Sequence, residues 1–428
     1  MRAHHAARLL GAASILASVA TVSGVLVGGT ASAATSPTTT STVPVRAKAD
    51  LVIWADADRA KILKPFAAKF AKQYGITVAV TADTGNVEND FNTATQAGKG
   101  PDIVVGAHDW IGDLAASGTL QPIAMPTIEQ KLFDPIAIKA VTYQGEIWGV
   151  PYAIENVALF RNPHLTPKAP ATFQQAVAEG EALVKAGKAK YPFCDQVGPT
   201  GDAYHMEPFY TSAGAYLFST LKNGDYNPKN VGVGLPASIR FAKLLYQYGE
   251  KGKGIFSDSM GYSQAVGGFA AGQCAFLVSG PWAIPQIDAG HQPFALSPVP
   301  GFAGLGPTRP FLGVQAFMVS SKAKNAALAD QFVLDYVASP AFQRAMFSVE
   351  PRPAALKSVL KQELATSPIA RGFFAAAKYG QPMPSIPAMD QIWTPLGQAE
   401  ANIVAGQNPV QQMDEARAAI LKAIANQK

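Results

Sequence analysis

Four short stretches pair an aromatic ring with a carboxylate or an amide close to the end of an expected element. They are Gly106-Ala107-His108-Asp109-Trp110, Glu207-Pro208-Phe209-Tyr210, Gly280-Pro281-Trp282-Ala283 and Gln391-Ile392-Trp393. A ring offers a large flat apolar face, and a carboxylate beside it accepts hydrogen bonds. Together they suit a ligand that is apolar on its faces and rich in hydroxyls at its rim. The alternative for each ring taken singly is a place in the core with its polar edge satisfied. Trp282 is the sharpest case, because Cys274 to Ser279 reads as a buried strand and Gly280-Pro281 ends it abruptly. The ring is then carried off the end of a sheet. Glu155 adds a fifth feature: it interrupts the apolar run 153–160, so it must be paired or face a solvated cleft.

Enzyme signatures are missing. The chain has no Gly-x-Ser-x-Gly elbow, no His-Glu-x-x-His and no phosphate-binding loop. Past residue 33 its histidines, His108, His164, His205 and His291, are far apart, so no metal cluster and no cofactor are expected. Paired acids remain available in Asp58, Asp109 and Glu155. A glycoside hydrolase would need two of them about 5–9 Å apart across one bond.

These residues depend on a framework that the apolar pattern suggests. Leu51 to Trp54, Ile76 to Val80 and Asp102 to Val105 read as strands separated by amphipathic helices, with Ile62, Leu63, Phe66, Phe70 and Tyr74 on one helix face. That alternation predicts an α/β fold with a mostly parallel sheet. Ligands of such sheets sit beyond the carboxyl ends of the strands, where Asp58, Arg59, His108, Asp109 and Trp110 fall. Glu207-Pro208 reads as the start of a helix, with Pro208 at the first helical position and Phe209 and Tyr210 in the first turn.

The chain has 428 residues, enough for two domains. Its formal net charge is +5. The cations are dispersed, which argues against nucleic acid as a partner. Residues 1–33 read as a secretory signal: Arg2 and Arg8, an apolar run over Leu9 to Val27, then Ala31-Ser32-Ala33. An uncleaved anchor is the alternative. No cysteine follows the run, so export without a lipid anchor is expected. Cleavage would remove Arg2 and Arg8 and lower the charge by two, to +3. Residues 34–48, rich in Ser, Thr and Pro, read as a disordered tether, and order is expected from Asp50. The only cysteines, Cys194 and Cys274, fit one disulfide inside the second domain; two buried thiols are the alternative.

In this order and spacing the motifs resemble the maltose/maltodextrin-binding proteins, the extracellular solute-binding proteins of sugar ABC importers. The resemblance runs from residue 49 to the end. Its pieces are Leu51-Val52-Ile53-Trp54, Gly100-Pro101-Asp102-Ile103, Ala107-His108-Asp109, Pro151 to Glu155, Glu207-Pro208, Gly280-Pro281-Trp282-Ala283, Pro310 to Val314, and Met383-Pro384 to Trp393. It implies a two-lobed periplasmic-binding-protein-like fold, each lobe a mostly parallel sheet flanked by helices, with ligand in the cleft between the lobes. The lobes would be 49–153 plus 317–361 and 158–311 plus 368–428, joined at 154–157, 312–316 and 362–367.

The resemblance further implies a ligand set of Asp58, Arg59, Asp109, Trp110, Glu155, Glu207, Phe209, Tyr210, Trp282 and Trp393. The chain departs from the family at Gly106, Trp110 and Thr394, so its stacking surface is rearranged. The reading is a monomeric, exported, non-enzymatic protein that binds α-glucan oligosaccharides and serves a membrane ABC permease. Another di- or oligosaccharide, the glycoside hydrolase and an adhesion or regulatory module stand as alternatives.

Overall fold

A computed structural model describes residues 43–222 and 224–427. The expected signal and the first part of the expected tether, 34–42, lie outside the described residues. Ordered contacts begin before Asp50. Arg46, within the expected tether, is held by the buried Asp102 carboxylate at 2.7 Å and by the Gly100 carbonyl at 2.8 Å. A charge pair with one fully buried partner fixes the chain there despite its polar composition.

The first sheet has six strands. Leu51–Asp56 lies one strand in from an edge, parallel to the edge strand Val78–Asp83 on one side and to Ile103–Ala107 on the other. The long strand Phe311–Val319 runs antiparallel to Ile103–Ala107 and to Val150–Glu155, and Gln381–Pro382 adds a short parallel edge. Leu51, Val52, Ile53 and Trp54 are all fully buried, which is why a continuous apolar run and not an alternating one specifies this strand. The helix Ala57–Tyr74 starts where the Asp56 side chain accepts from the backbone of Asp58 and Arg59, and ends at Gly75, whose φ of 64° favours glycine.

The second sheet is smaller. Ala158–Arg161 pairs antiparallel with Phe276–Ser279 and with Ala295–Ser297. A mostly parallel sheet was expected here too; parallel pairing is confined to bridges from Tyr191 to Cys274 and from Cys194 to Leu277. Those bridges bring Cys194 and Cys274 together, and they form a disulfide with Cα atoms 5.9 Å apart.

Buried apolar side chains fall into separate cores. One gathers Leu51, Phe70, Ile103, Phe317 and Phe342, drawing on 51–153 and 314–359. The larger one in the second half is aromatic, with Phe173, Phe193, Phe209, Phe241 and Tyr248. Another surrounds the disulfide with Phe160, Phe269 and Phe373. The chain leaves the first core after Ala153 and joins the second at Val157; it returns between Phe311 and Val314.

The helix expected to take Pro208 as its first residue, after Glu207, spans Ala203–Ser212 instead. Asp202 caps it by accepting from the His205 backbone at 3.0 Å. Pro208 therefore sits inside the helix. A side-chain cap outweighs the preference of proline for the first turn. The helix Asp390–Val404 places Trp393 in its first turn.

Candidate ligand cleft

One wall of the site begins at His108, in the turn after the strand Ile103–Ala107. The ring is fully buried. Its Nδ1 accepts from the Val314 backbone at 3.0 Å, so Nε2 carries the proton and donates to the Met383 carbonyl at 2.9 Å. Burial pushes its pKa down to about 4, against those two hydrogen bonds. The neutral ring thus ties three distant segments together and fixes the two residues that follow. Trp110 folds back over Gly106, whose position leaves no room for a Cβ beside the indole. Asp109 presents a carboxylate whose Oδ1 is buried without a partner. Burial, and then the nearby Asp390, push its pKa up to about 7.

The facing wall is aromatic. Trp282 follows the strand Phe276–Ser279 and folds back over Gly280, again with no space for a Cβ. Tyr204, in the first turn of the helix Ala203–Ser212, centres its ring 5.9 Å from Trp282, 5.9 Å from Phe311 and 6.5 Å from Trp393. His205 sets its edge against Trp282 at 5.9 Å. Trp282 and Trp393 are both half-buried.

Glu155 joins the walls. It is 6% exposed, accepts from Gln315 Nε2 at 2.7 Å and forms an ion pair with Arg352. Arg352 also pairs with Glu350 at 2.5 Å, and its guanidinium lies 5.5 Å from the centre of the Trp282 ring. Glu155 is therefore paired, and it also lines a cavity.

That cavity measures about 810 Å³ and is lined by Asp109, Trp110, Glu155, Tyr204, Asp390 and Trp393, among others. It lies within the size range of small-ligand sites, about 300–1,000 Å³. Four of the residues singled out in the sequence meet there: Asp109, Trp110, Glu155 and Trp393. Trp282 adjoins it through Tyr204 and Arg352. Asp58 is exposed at the start of its helix, and Arg59 pairs with Asp56 at 2.8 Å; neither lines the cavity.

Three assignments are corrected. Phe209 is fully buried in the aromatic core, 5.0 Å from Phe173 and 5.8 Å from Phe302, where no ligand reaches it. Tyr210 is 1% exposed and packs on Phe241. Glu207 lines a separate cavity of about 270 Å³ beside Tyr226 and Phe311. The cause is common to all three. The helix begins five residues earlier than expected; Tyr204 is its residue in the cavity lining, and His205 is buried against Trp282. Asp202 was the available signal, as an Asp three residues ahead of the backbone N–H that it caps. Arg352, Glu88 and Asp390 were also not anticipated.

The model of a protein family described as bacterial extracellular solute-binding protein matches residues 66–372. The chain is 25% identical over 376 residues to the galactooligosaccharide-binding protein of Bacillus subtilis (strain 168), spanning 86% of this chain and 87% of that one. It is 23% identical to a maltooligosaccharide ABC transporter solute-binding lipoprotein of Streptococcus pneumoniae, over 89% of both chains. It is 28% identical to a maltodextrin-binding protein of Bacillus subtilis, over 70% of this chain and 71% of the relative. Those relatives are named as binding proteins and not as enzymes. No helix among the described residues is long and apolar enough to cross a membrane. This chain is a member of the bacterial extracellular solute-binding protein family.

Proposed function

We propose that the protein binds an oligosaccharide in this cleft and delivers it to a membrane ABC permease, without chemical conversion. The observation that carries the reading is the meeting of Trp110, Tyr204 and Trp393 around Asp109 and Glu155 in one cavity of about 810 Å³. Pyranose rings have apolar C–H faces for the aromatics and hydroxyls for the carboxylates. Hydrogen bonds to charged acceptors contribute about 1.5–3 kcal/mol each. Maltodextrin-type α-glucans are the first ligand class, in keeping with the names of two relatives; galactooligosaccharides, after the third, are the second.

The lobes are 49–153 plus 317–361 and 158–311 plus 368–428, and the crossings at 154–157, 312–316 and 362–367 act as hinges. Closure about them presents the loaded form to the permease. The protein acts as an exported monomer without a lipid anchor. A panel of malto- and galactooligosaccharides scored by thermal shift and then calorimetry tests the reading. Ligand at about 100 times its dissociation constant stabilises by roughly 2.7 kcal/mol. No shift with any oligosaccharide rejects the reading, and shortened products after incubation favour the hydrolase.

A further inference from the structure

The charge balance of the cleft differs from that of the chain. The chain as a whole carries 35 Lys and Arg against 30 Asp and Glu. The cavity is lined by Glu88, Asp109, Glu155 and Asp390 and by no Lys or Arg. Glu155 is neutralised by Arg352. Among the described residues Glu88, Asp109 and Asp390 have no ion-pair partner, although Asp390 accepts from Gln391 at 3.1 Å.

Three uncompensated carboxylates around one cavity repel one another and are costly to desolvate. A neutral sugar needs hydrogen-bond acceptors, but amides and carbonyls serve that need without charge. Asp109 keeps one oxygen buried and unsatisfied, so the cavity is short of a donor at that point. No three acidic, His or Cys side chains among the described residues converge closely enough to hold a metal ion. The acidic groups are spread along the cavity wall and not focused on one point; burial and mutual repulsion favour their protonated forms, and a bound ammonium would shift them to the ionised, pairing form. That distribution suits an extended organic cation. The rings of Trp110, Tyr204 and Trp393 line the same cavity, and aromatic faces attract ammonium groups as well as C–H faces.

We propose that the cleft selects an oligosaccharide that carries a protonated amine, held by Glu88, Asp109 and Asp390 between the cleft aromatics. The proposal rests on the carbohydrate reading above and narrows its ligand class.

Two matched pairs test it by calorimetry on the full chain. One is maltotriose and the derivative reductively aminated at its reducing end. The other is the glucosamine trimer and its fully N-acetylated counterpart. In at least one pair the amine form should bind more than tenfold tighter at low salt. That preference should shrink in 1 M NaCl, where the screening length falls to about 3 Å. In Glu88→Gln and in Asp390→Asn the ratio of the two affinities should fall severalfold. A neutral partner that binds as tightly as its amine form in both pairs overturns the proposal and leaves the carbohydrate reading standing. An amine preference unchanged in both variants overturns the assignment to this cluster. If no member of either pair binds, and the wider sugar panel is also silent, the carbohydrate reading fails and this proposal with it.

Discussion

The Arg352 guanidinium lies 5.5 Å from the centre of the Trp282 ring while pairing with Glu155. Trp282 packs on the cores of the second half of the chain. Arg352 follows Glu350 in a segment that runs alongside the strand Val150–Glu155, where the Ile154 backbone donates to Pro353 at 2.8 Å. One side chain thus spans the two halves of the cleft. It holds one face of the indole and neutralises the carboxylate at the chain crossing. Burial is the largest influence on Arg352 and pushes its pKa down to about 9, with Arg59 adding repulsion.

Arg352→Ala would strand Glu155 as a buried charge with only Gln315 for company. Breaking a buried pair from one side typically costs about 3–5 kcal/mol. Chemical denaturation should show a loss at the lower end of that range. The double change Arg352→Ala with Glu155→Gln should recover part of it, since Glu155 is no longer left as an unpaired charge and only Glu350 loses its partner. A single variant within 0.5 kcal/mol of the parent, an arbitrary small margin typical of surface changes, would show that the pair is not structurally important.

Tyr204 and Phe209 provide a paired test of the helix register. Tyr204→Ala removes a cleft wall and should weaken oligosaccharide binding by about 2 kcal/mol, as for an anchored aromatic. Its effect on the unfolding midpoint should be small. Phe209→Ala removes a fully buried ring, and such changes cost about 3–5 kcal/mol of stability. Any folded Phe209→Ala protein should keep its affinity. The opposite pattern, with binding lost at Phe209 and spared at Tyr204, would restore the register that begins at Pro208.

That pair also shows what the sequence could disclose. Asp109, Trp110 and Trp393 were legible because each is placed by something local: a strand end or the first turn of a helix. The disulfide was legible because both cysteines sit in short apolar runs. Tyr204 was not, because helix phase decides which side chains face the cleft. Each residue turns the helix by about 100°, so Phe209 and Tyr210 lie about 140° and 240° around from Tyr204. An error of five residues in the start moves the site to the opposite face. Arg352 was illegible for a different reason. It comes from an irregular stretch, and its partners Glu155 and Trp282 are remote in sequence, so no periodicity links them. The acidic lining had the same origin: Glu88 and Asp390 are brought to one cavity only by the fold.

Cys194 and Cys274 close a loop with a sequence separation of 80. In the chain-entropy description a loop of that size contributes about 4.5 kcal/mol by restricting the unfolded chain. The bond also fastens the parallel bridges at Tyr191–Cys274 and Cys194–Leu277. Cys194→Ser with Cys274→Ser should therefore lower stability by about 2–4 kcal/mol. Sugar affinity of the folded remainder should change little, since neither cysteine lines the cleft. Equal stability of the oxidised and the doubly substituted proteins would reject this role.

Glu88 gives the cleft a pH signature. Burial, and then Asp109, Asp390 and Asp113, push its carboxyl up to about 9. A carboxyl whose pKa rises on folding binds its proton more tightly in the native chain. Its favourable contribution is complete below the unfolded value, near 4.3, and disappears as pH rises through about 9. Glu88→Gln, which cannot ionise, should match the parent near pH 4 and become progressively more stable than it towards pH 9. Glu88 is only half-buried, so solvent screening reduces the difference, to roughly 1 kcal/mol or about 2–4 °C in the unfolding midpoint. Thermal unfolding of both proteins without ligand, in steps from pH 4 to pH 9, measures it. A difference that stays constant across that window would mean that Glu88 titrates as an ordinary surface carboxylate and that neither burial nor its acidic neighbours act on it.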